Sequence, residues 1–234
     1  MPNYEHADSA VRAPKNVKRS VQELIREKRE WHPPPDEEAA KLGFRGWHSR
    51  GYLPHFDAPG AWQMINYRLA DSMPADLRHE WSALLKIDDD LKRFAKIEDY
   101  LDRNLGNCEL RDARAAAIVE ENWLHLDGEK YRLRAWVVMP NHVHLLVEIW
   151  QKPLAEVVKN WKGFSARRIN ELLGRSGELW QEDYWDRYIR DEAHYRKVVH
   201  YIEANPVKAG LVKSPEQWPF SSARLRDEYN QLKR

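Results

Sequence analysis

Cysteine is almost missing from this chain, and long apolar runs are missing altogether. The 234 residues include one cysteine, Cys108, which excludes an intramolecular disulfide and any zinc finger built on cysteines. No apolar run approaches the ~20 residues that a membrane span needs, and the polar N-terminus lacks the hydrophobic region of a signal peptide. The sequence therefore predicts a cytoplasmic protein with no membrane partner.

A strong net charge is also lacking. The formal charge is +1, which by itself predicts no partner. The distribution is more informative, because residues 71–129 carry 15 Asp and Glu against 8 Lys and Arg. A polyanion would avoid this acidic middle and approach the rest of the chain. The asymmetry is modest and gives only weak support for a nucleic-acid partner.

Apolar periodicity divides the chain into an arm, a folded domain and a tail. Residues 1–50 are predicted to form a basic, proline-containing arm, 51–225 the domain and 226–234 a polar tail. Strands are predicted at 61–70, 130–139, 142–149 and 183–190, and helices at 74–105, 109–125, 154–173 and 191–204. The last helix is predicted to stop at Asn205-Pro206. This order predicts an α+β fold with a small antiparallel sheet, in which 71–129 forms an extended helical segment.

Two histidines, His142 and His144, stand one residue apart in the apolar run WVVMPNHVHLLVE. A strand repeats its faces every two residues, so both imidazoles point the same way. Paired imidazoles on one strand face can hold a divalent metal. Without a further ligand nearby, two satisfied or solvated histidines would be the better interpretation.

The last predicted helix offers that further ligand. Tyr201 and Asn205 are four residues apart and share a helix face. If this helix packs across the histidine strand, the carboxamide oxygen of Asn205 could complete the metal site, with the phenol of Tyr201 beside it. A tyrosine next to a metal can act as a nucleophile in phosphoryl transfer. Tyr195 is the rival nucleophile, but it lies roughly 120° around the helix and lacks an asparagine four residues on.

These combined motifs resemble a known family. His-Val-His matches the His-hydrophobic-His motif of HUH single-strand DNA endonucleases, and WVVMPNHVHLLVE resembles the single-tyrosine transposases of insertion sequences. The segment YWDRYIRDEAHYRKVVHYIEANPVKAGLV, followed by WPFSS, is similar to their REP-associated branch, the REP-associated tyrosine transposases. The resemblance covers about residues 50–225. The acidic segment 71–129 and the basic arm are additions to the usual pattern.

The resemblance implies a fold and a reaction. It implies an HUH endonuclease-like core related to ferredoxin-like and RRM-like folds, His142 and His144 as metal ligands, Asn205 as the third ligand and Tyr201 as the nucleophile. The implied metal is Mg²⁺ or Mn²⁺, and the implied partner is single-stranded or hairpin DNA. Cleavage would form a 5′-phosphotyrosine and free a 3′-hydroxyl. The family includes both monomers and homodimers, and the sequence leaves this choice open.

Two other functions remain open at this stage. One is a phosphodiesterase in which a metal-bound water attacks, as in histidine-triad hydrolases, although Leu146 occupies the third position of that alternation. The other is a hairpin-DNA-binding protein without catalysis. A replication initiator or relaxase shares the chemistry, but the chain is short and has no helicase domain.

Candidate DNA contacts are basic or aromatic side chains near the predicted site. Basic residues along a helix can follow a phosphate backbone, and aromatic rings mixed with positive charge can stack on single-stranded bases. The candidates are Lys159, Lys162, Arg167, Arg168, Tyr184, Trp185, Arg187 and Lys208. The competing interpretation is a solvated helix face for the lysines and arginines and a core position for about half of the aromatics.

Overall fold

The computed structural model describes residues 34–49, 54–72, 105–227 and 231–233, with positions 96, 99 and 103 between them. The predicted helix at 74–105 lies mostly outside these residues. The described elements are α1 (Glu37–Lys41), β1 (Gly46–Ser49), β2 (Pro54–Asp57), β3 (Trp62–Arg68), α2 (Ala113–Leu124), β4 (Tyr131–Val138), β5 (His142–Ile149), α3 (Leu154–Leu173), β6 (Trp185–Tyr188) and α4 (Glu192–Lys208). Three 3₁₀ turns, Glu109–Arg111, Pro215–Gln217 and Ser222–Leu225, complete the set.

The centre of the fold is a four-stranded antiparallel sheet in the order β4-β5-β3-β6. Helices α2 and α3 cover one face, and α4 packs on β4 and β5 from the other. A tight turn at Pro140-Asn141 joins β4 to β5, closed by the amide of Met139, which donates to the carbonyl of His142 at 2.9 Å. The predicted α+β class, with helices packed on a small antiparallel sheet, is confirmed.

The sequence of β5 explains why the sheet has two different faces. Val143, Leu145 and Val147 point toward α2 and α3 and are fully buried in the larger core. His142 and His144 alternate with them and therefore point toward α4. One strand thus supplies the larger core on one side and two polar side chains on the other.

Most predicted elements lie where the periodicity places them. The hairpin at 130–149, the strand within 61–70, the strand within 183–190 and the helix at 154–173 are all present. The last of these ends at Gly174, which has a φ of +60°. A left-handed residue favours glycine, so this stop is encoded locally.

The prediction that the last helix stops at Asn205-Pro206 is wrong. α4 continues to Lys208 with Pro206 inside it. Proline removes one helical hydrogen bond, but Asn205 and Pro206 are both buried, and the amide of Ala209 donates to the carbonyl of Asn205 at 2.9 Å. Tertiary packing outweighs the local stop signal and keeps Asn205 on a helical turn.

Part of the predicted N-terminal arm is folded. Asp36 caps α1 by accepting a hydrogen bond from the amide of Ala39 at 2.8 Å, and β1 pairs with β2 in a separate two-stranded sheet. His55 of β2 hydrogen-bonds to Asp186 of β6, and both side chains are buried. This contact joins the small sheet to the main one.

The chain after α4 covers the edge of the sheet. The indole of Trp218 donates to the carbonyl of Val138 at 2.9 Å, and the backbone of Ser221 bridges to Val137. Covering the end of edge strand β4 in this way blocks pairing with other chains. Within the described ranges, no helix combines the length and apolarity that a membrane crossing requires.

Candidate metal and tyrosine site

A row of residues crosses the α4 side of the sheet at the level of His144. Val137 of β4 pairs with His144, His144 pairs with Asn66 of β3, and Asn66 pairs with Trp185 of β6. Direct cross-strand neighbours share a face, and adjacent strands lie about 4.8 Å apart. Trp185 therefore starts about 10 Å from His144 on the same face.

Asn141 fixes the ring of His142. The Asn141 amide nitrogen donates to the carbonyl of Leu105 at 3.1 Å, so its oxygen faces the histidine, whose Nδ1 lies 2.7 Å away. Because that oxygen can only accept, Nδ1 carries the proton and Nε2 carries the lone pair. Nε2 is buried and has no hydrogen-bond partner among the described residues.

His142 is held neutral by its surroundings. Burial lowers its pKa well below the usual range, and the nearby His144, Arg68 and Lys208 lower it further. A neutral imidazole with a bare Nε2 is the form that binds a metal.

Asn66 holds His144 in a related way. The amide nitrogen of Asn66 lies 3.3 Å from Nδ1 of His144, and both side chains are buried. The two imidazole rings of His142 and His144 meet edge to face, with their centroids 4.8 Å apart. Each histidine is thus positioned through Nδ1 by a buried asparagine.

Tyr201 lies directly against His144. The two rings are nearly perpendicular, at 84°, with centroids 5.6 Å apart. Tyr195, the rival tyrosine, packs instead on Trp62 at 4.7 Å, and Trp62 pairs with Glu148 at the far end of β5. The geometry therefore distinguishes the two phenols: the ring of Tyr201 contacts His144, and the ring of Tyr195 contacts Trp62.

Helix geometry places Asn205 level with His142 at the interface between α4 and β5. Tyr195 packs near the Glu148 end of β5, whereas Tyr201, six residues later in α4, packs on His144. The direction of α4 is therefore antiparallel to that of β5. One further helical turn, about 6 Å, matches the two-residue step of about 6.6 Å from His144 back to His142. The amide of Asn205 is 1% exposed, and neither of its polar atoms has a hydrogen-bond partner among the described residues.

These residues fit a divalent metal. Two imidazoles and one carboxamide oxygen form a donor set of intermediate hardness, and leaving such buried atoms unpaired costs about 1–3 kcal/mol each. A bound ion would satisfy the orphaned Nε2 of His142 and Oδ1 of Asn205. Clusters of three or more His, Cys, Asp or Glu side chains are not found in the described ranges, so a third ligand at this site would have to be the carboxamide of Asn205.

The predicted DNA contacts fall into different environments. Trp185 and Arg187 are half-buried on the histidine side of β6, and Lys208 is exposed at the end of α4, 3.3 Å from Asp99. Tyr184 is 8% exposed and packs near His55, so its ring is not available to stack on a base.

The other four predicted DNA contacts, all lysines or arginines, lie on helix α3. The ammonium of Lys162 donates to the carbonyls of Gln181 and Glu182, the latter at 2.6 Å, and so ties that segment to α3. Arg168 pairs with Glu171 at 3.7 Å, and Lys159 and Arg167 are exposed. α3 packs on the face of the sheet opposite the histidines, so these residues lie away from the candidate site.

Three functional candidates were missed from the sequence. Asn66 and Arg68 are polar residues two apart in the apolar strand β3, and this spacing could have placed both on the histidine face. Asn141 could have been found as the neighbour of His142 in the tight turn. The positions of Asn66 and Arg68 opposite the two histidines depend on strand register, which the sequence does not specify.

The sequence model of the family described as "Transposase IS200 like" matches residues 117–205. This range contains both histidines, Tyr201 and Asn205. A REP-associated tyrosine transposase of Escherichia coli (strain K12) is 35% identical over 94 residues, covering 39% of this chain and 54% of that protein. The resemblance predicted from the sequence is confirmed.

Two further proteins are similar. A protein of Haemophilus influenzae (strain ATCC 51907 / DSM 11121 / KW20 / Rd) is 27% identical over 99 residues, covering 36% of this chain and 54% of that protein. The solved structure of a REP-associated tyrosine transposase bound to a REP hairpin shares 21% identity, with a TM-score of 0.44 over 73% of this chain and 81% of the other. The chain spans about half the length of the curated relatives it matches.

Proposed function

We propose that this protein is a metal-dependent, single-strand DNA endonuclease and strand transferase that acts through Tyr201 at sites beside hairpins. One observation carries the proposal: the phenol ring of Tyr201 packs against His144 at the α4–β5 interface, where His142 and Asn205 have buried polar atoms with no partner among the described residues. The match of residues 117–205 to the family described as "Transposase IS200 like", and the similarity to the E. coli REP-associated tyrosine transposase, support DNA as the substrate.

The chemistry follows from the side chains. His142 and His144 through Nε2, and Asn205 through Oδ1, would hold Mg²⁺ or Mn²⁺, which neutralises charge on the phosphate oxygens. The amide nitrogen of Asn66 faces Nδ1 of His144, so metal binding through Nε2 requires this carboxamide to turn until its oxygen accepts a hydrogen bond from Nδ1. The two buried asparagines then act as positioning residues for the two imidazoles.

Tyr201 is the nucleophile in this scheme. Its phenolic oxygen attacks the phosphorus, and the proton of the phenol passes to solvent as the new O–P bond forms. The bond from phosphorus to the 3′-oxygen breaks, and that oxygen takes up a proton to become a 3′-hydroxyl. A later attack by another 3′-hydroxyl on the phosphotyrosine reverses these bonds and transfers the strand.

The DNA would approach over the open half of the histidine face. α4 packs on β4 and β5, which leaves Trp185 and Arg187 of β6 half-exposed on the same face of the sheet as His144. A tryptophan and an arginine on one surface are the elements that hold single-stranded bases. Because Tyr201 reaches a histidine of its own chain, this arrangement needs no second copy to bring nucleophile and histidines together.

The test is cleavage of labelled hairpin DNA with single-stranded flanks in the presence of Mn²⁺. We expect the wild-type protein to cut and Tyr201→Phe to lose cleavage while keeping its fold. Tyr195→Phe is the matched control, because this phenol lies on the same helix but packs on Trp62. Undiminished cleavage by Tyr201→Phe would refute the proposal.

A further inference from the structure

Arg68 stands at the edge of the candidate site and has no role in the scheme above. It is the last residue of β3 and lies directly opposite His142 in the strand register. Directly opposed residues have Cβ atoms about 5 Å apart and share a face. Arg68 is only 7% exposed, so its guanidinium is held within the fold beside a metal-ligand candidate.

The neutral side chain of Gln181 holds the guanidinium in place. Nη2 of Arg68 donates to Oε1 of Gln181 at 3.1 Å, and the backbone amide of Gln181 donates to the carbonyl of Arg68 at 2.9 Å. The amide nitrogen of Gln181 then donates to the carbonyl of Ala70 at 3.4 Å. A carboxamide orients a guanidinium without adding a negative charge, and the strand register places this guanidinium beside His142.

A fixed positive charge beside two neutral imidazoles is costly for binding a cation and useful for binding an anion. Arginine presents a planar fork of donors that matches a phosphate. In phosphoryl transfer, charge accumulates on the non-bridging oxygens, and a pre-positioned arginine stabilises it.

We propose that Arg68 donates hydrogen bonds to a non-bridging oxygen of the phosphate that Tyr201 attacks. This inference rests on the proposed function for the identity of that phosphate. It assigns Arg68 a direct contact with substrate, in addition to the metal ligands and the nucleophile.

The first experiment measures binding without cleavage, so that it does not depend on the reaction. In a Tyr201→Phe background, proteins with Arg68 or with Arg68→Gln are titrated, in Mn²⁺, with hairpin DNAs that carry one methylphosphonate at each flank position in turn. A methylphosphonate removes the charge of a single phosphate. With Arg68 present, we expect one position where this change weakens binding about tenfold or more, the scale of one charged hydrogen bond.

With Arg68→Gln, the same methylphosphonate should change the affinity by less than about twofold, because the group that senses the charge is gone. Arg68→Lys keeps the charge but not the fork, and we expect an intermediate effect. Arg132→Gln is the control: this exposed arginine lies opposite Glu148, at the far end of β5. Equal sensitivity to the methylphosphonate with and without Arg68 would overturn the inference.

The second measurement separates a phosphate contact from an effect through His142. Removing a neighbouring positive charge should leave Mn²⁺ affinity unchanged or raise it. We therefore expect Arg68→Gln to bind Mn²⁺ at least as tightly as wild type while losing about 10²-fold in single-turnover cleavage. A parallel loss of Mn²⁺ affinity would assign Arg68 to His142 and contradict the phosphate contact.

The two proposals can fail separately. If wild type cuts DNA but its sensitivity to the methylphosphonate does not depend on Arg68, only the role of Arg68 is wrong. If that sensitivity does depend on Arg68 but the wild-type protein does not cut DNA, Arg68 binds a phosphate and the strand-transfer function is wrong.

Discussion

The two faces of the central sheet are built on opposite principles. On the α2–α3 face, four buried aromatic side chains are joined by hydrogen bonds. The indole of Trp123 donates to the hydroxyl of Tyr67 at 2.9 Å, the hydroxyl of Tyr131 donates to the carbonyl of Trp123 at 2.8 Å, and the indole of Trp161 donates to the hydroxyl of Tyr131 at 2.9 Å. On the α4 face, His142 and Asn205 keep buried polar atoms with no partner among the described residues.

Under the proposed function, this difference separates a face that serves stability from a face that serves catalysis. Satisfied polar groups inside a packed core rigidify it, whereas an unsatisfied buried group costs about 1–3 kcal/mol and persists only where something else selects for it. Alternate residues of β5 supply both faces, so neighbouring positions should respond to mutation in opposite ways.

The largest expected effect is the loss of cleavage in His144→Ala. Removing a metal ligand takes away several kcal/mol of charge stabilisation, which corresponds to about 10³-fold in rate. The imidazole is fully buried and lies against Asn66, so its truncation also leaves a cavity and an unpaired amide, and we expect the unfolding free energy to fall by about 1–3 kcal/mol. Single-turnover cleavage and urea denaturation measure the two quantities. A variant that unfolds but cuts normally when folded would reverse the assignment of this face.

The neighbouring substitution Leu145→Ala should show the reverse pattern. Leu145 is fully buried in the core against α2 and α3, and losing a buried leucine costs about 2–5 kcal/mol. Cleavage measured well below the unfolding transition should stay within a few-fold of wild type. If Leu145→Ala lost cleavage as severely as His144→Ala while folded, the two faces would not be functionally separate.

A smaller effect is expected for Asn141→Ala, which removes the acceptor that orients His142. Loss of such a positioning contact lowers metal affinity by about 10–100-fold, which can be measured by calorimetry with Mn²⁺. Asn122→Ala is the matched control, since this asparagine donates to the carbonyl of Trp161 at 2.9 Å on the other side of the sheet. We expect the control to bind Mn²⁺ as wild type does. Equal affinities in both variants would remove the role given to Asn141.

The smallest expected effect concerns a buried carboxyl that does have a partner. Asp57 accepts a hydrogen bond from the amide of Leu154 at 3.1 Å, yet burial raises its pKa to about 6. The folded protein therefore keeps a proton that the unfolded chain releases, so this contribution to stability is present below the unfolded pKa and is lost as the pH rises through about 6.

Asp57→Asn removes this titration. The unfolding free energy of the variant, relative to wild type, should rise between about pH 4 and pH 7. Asp183→Asn, at an exposed position, is the control and should show no such trend. Parallel curves for Asp57→Asn and wild type would mean that Asp57 titrates normally.

The sequence predicted the parts of the site that depend on local periodicity. Alternation in β5 places His142 and His144 on one face, and the four-residue spacing in α4 places Tyr201 and Asn205 on one face. The resemblance added that these faces meet. The stop at Asn205-Pro206 was predicted wrongly because burial of this turn, which a local pattern does not contain, carries the helix through the proline.

Other features depend on long-range register and could not be predicted from the sequence. The pairing of Asn66 with His144 and of Arg68 with His142 joins residues more than 70 positions apart. Lys162 also makes a contact outside its own helix, because its ammonium donates to the carbonyl of Glu182 at 2.6 Å. Its sequence context is that of an exposed helical lysine, and only the fold shows that its charge is already in use.

The most direct test of the account is to map the covalent intermediate on the protein. After reaction with hairpin DNA and Mn²⁺, trypsin would release residues 198–208, a peptide with Tyr201 as its only tyrosine, while Tyr195 falls in the separate peptide 191–196. Mass spectrometry should find the 5′-phosphate of the cleaved strand on the 198–208 peptide. An adduct on another peptide, or cleavage with no covalent intermediate under conditions that trap one, would contradict the account.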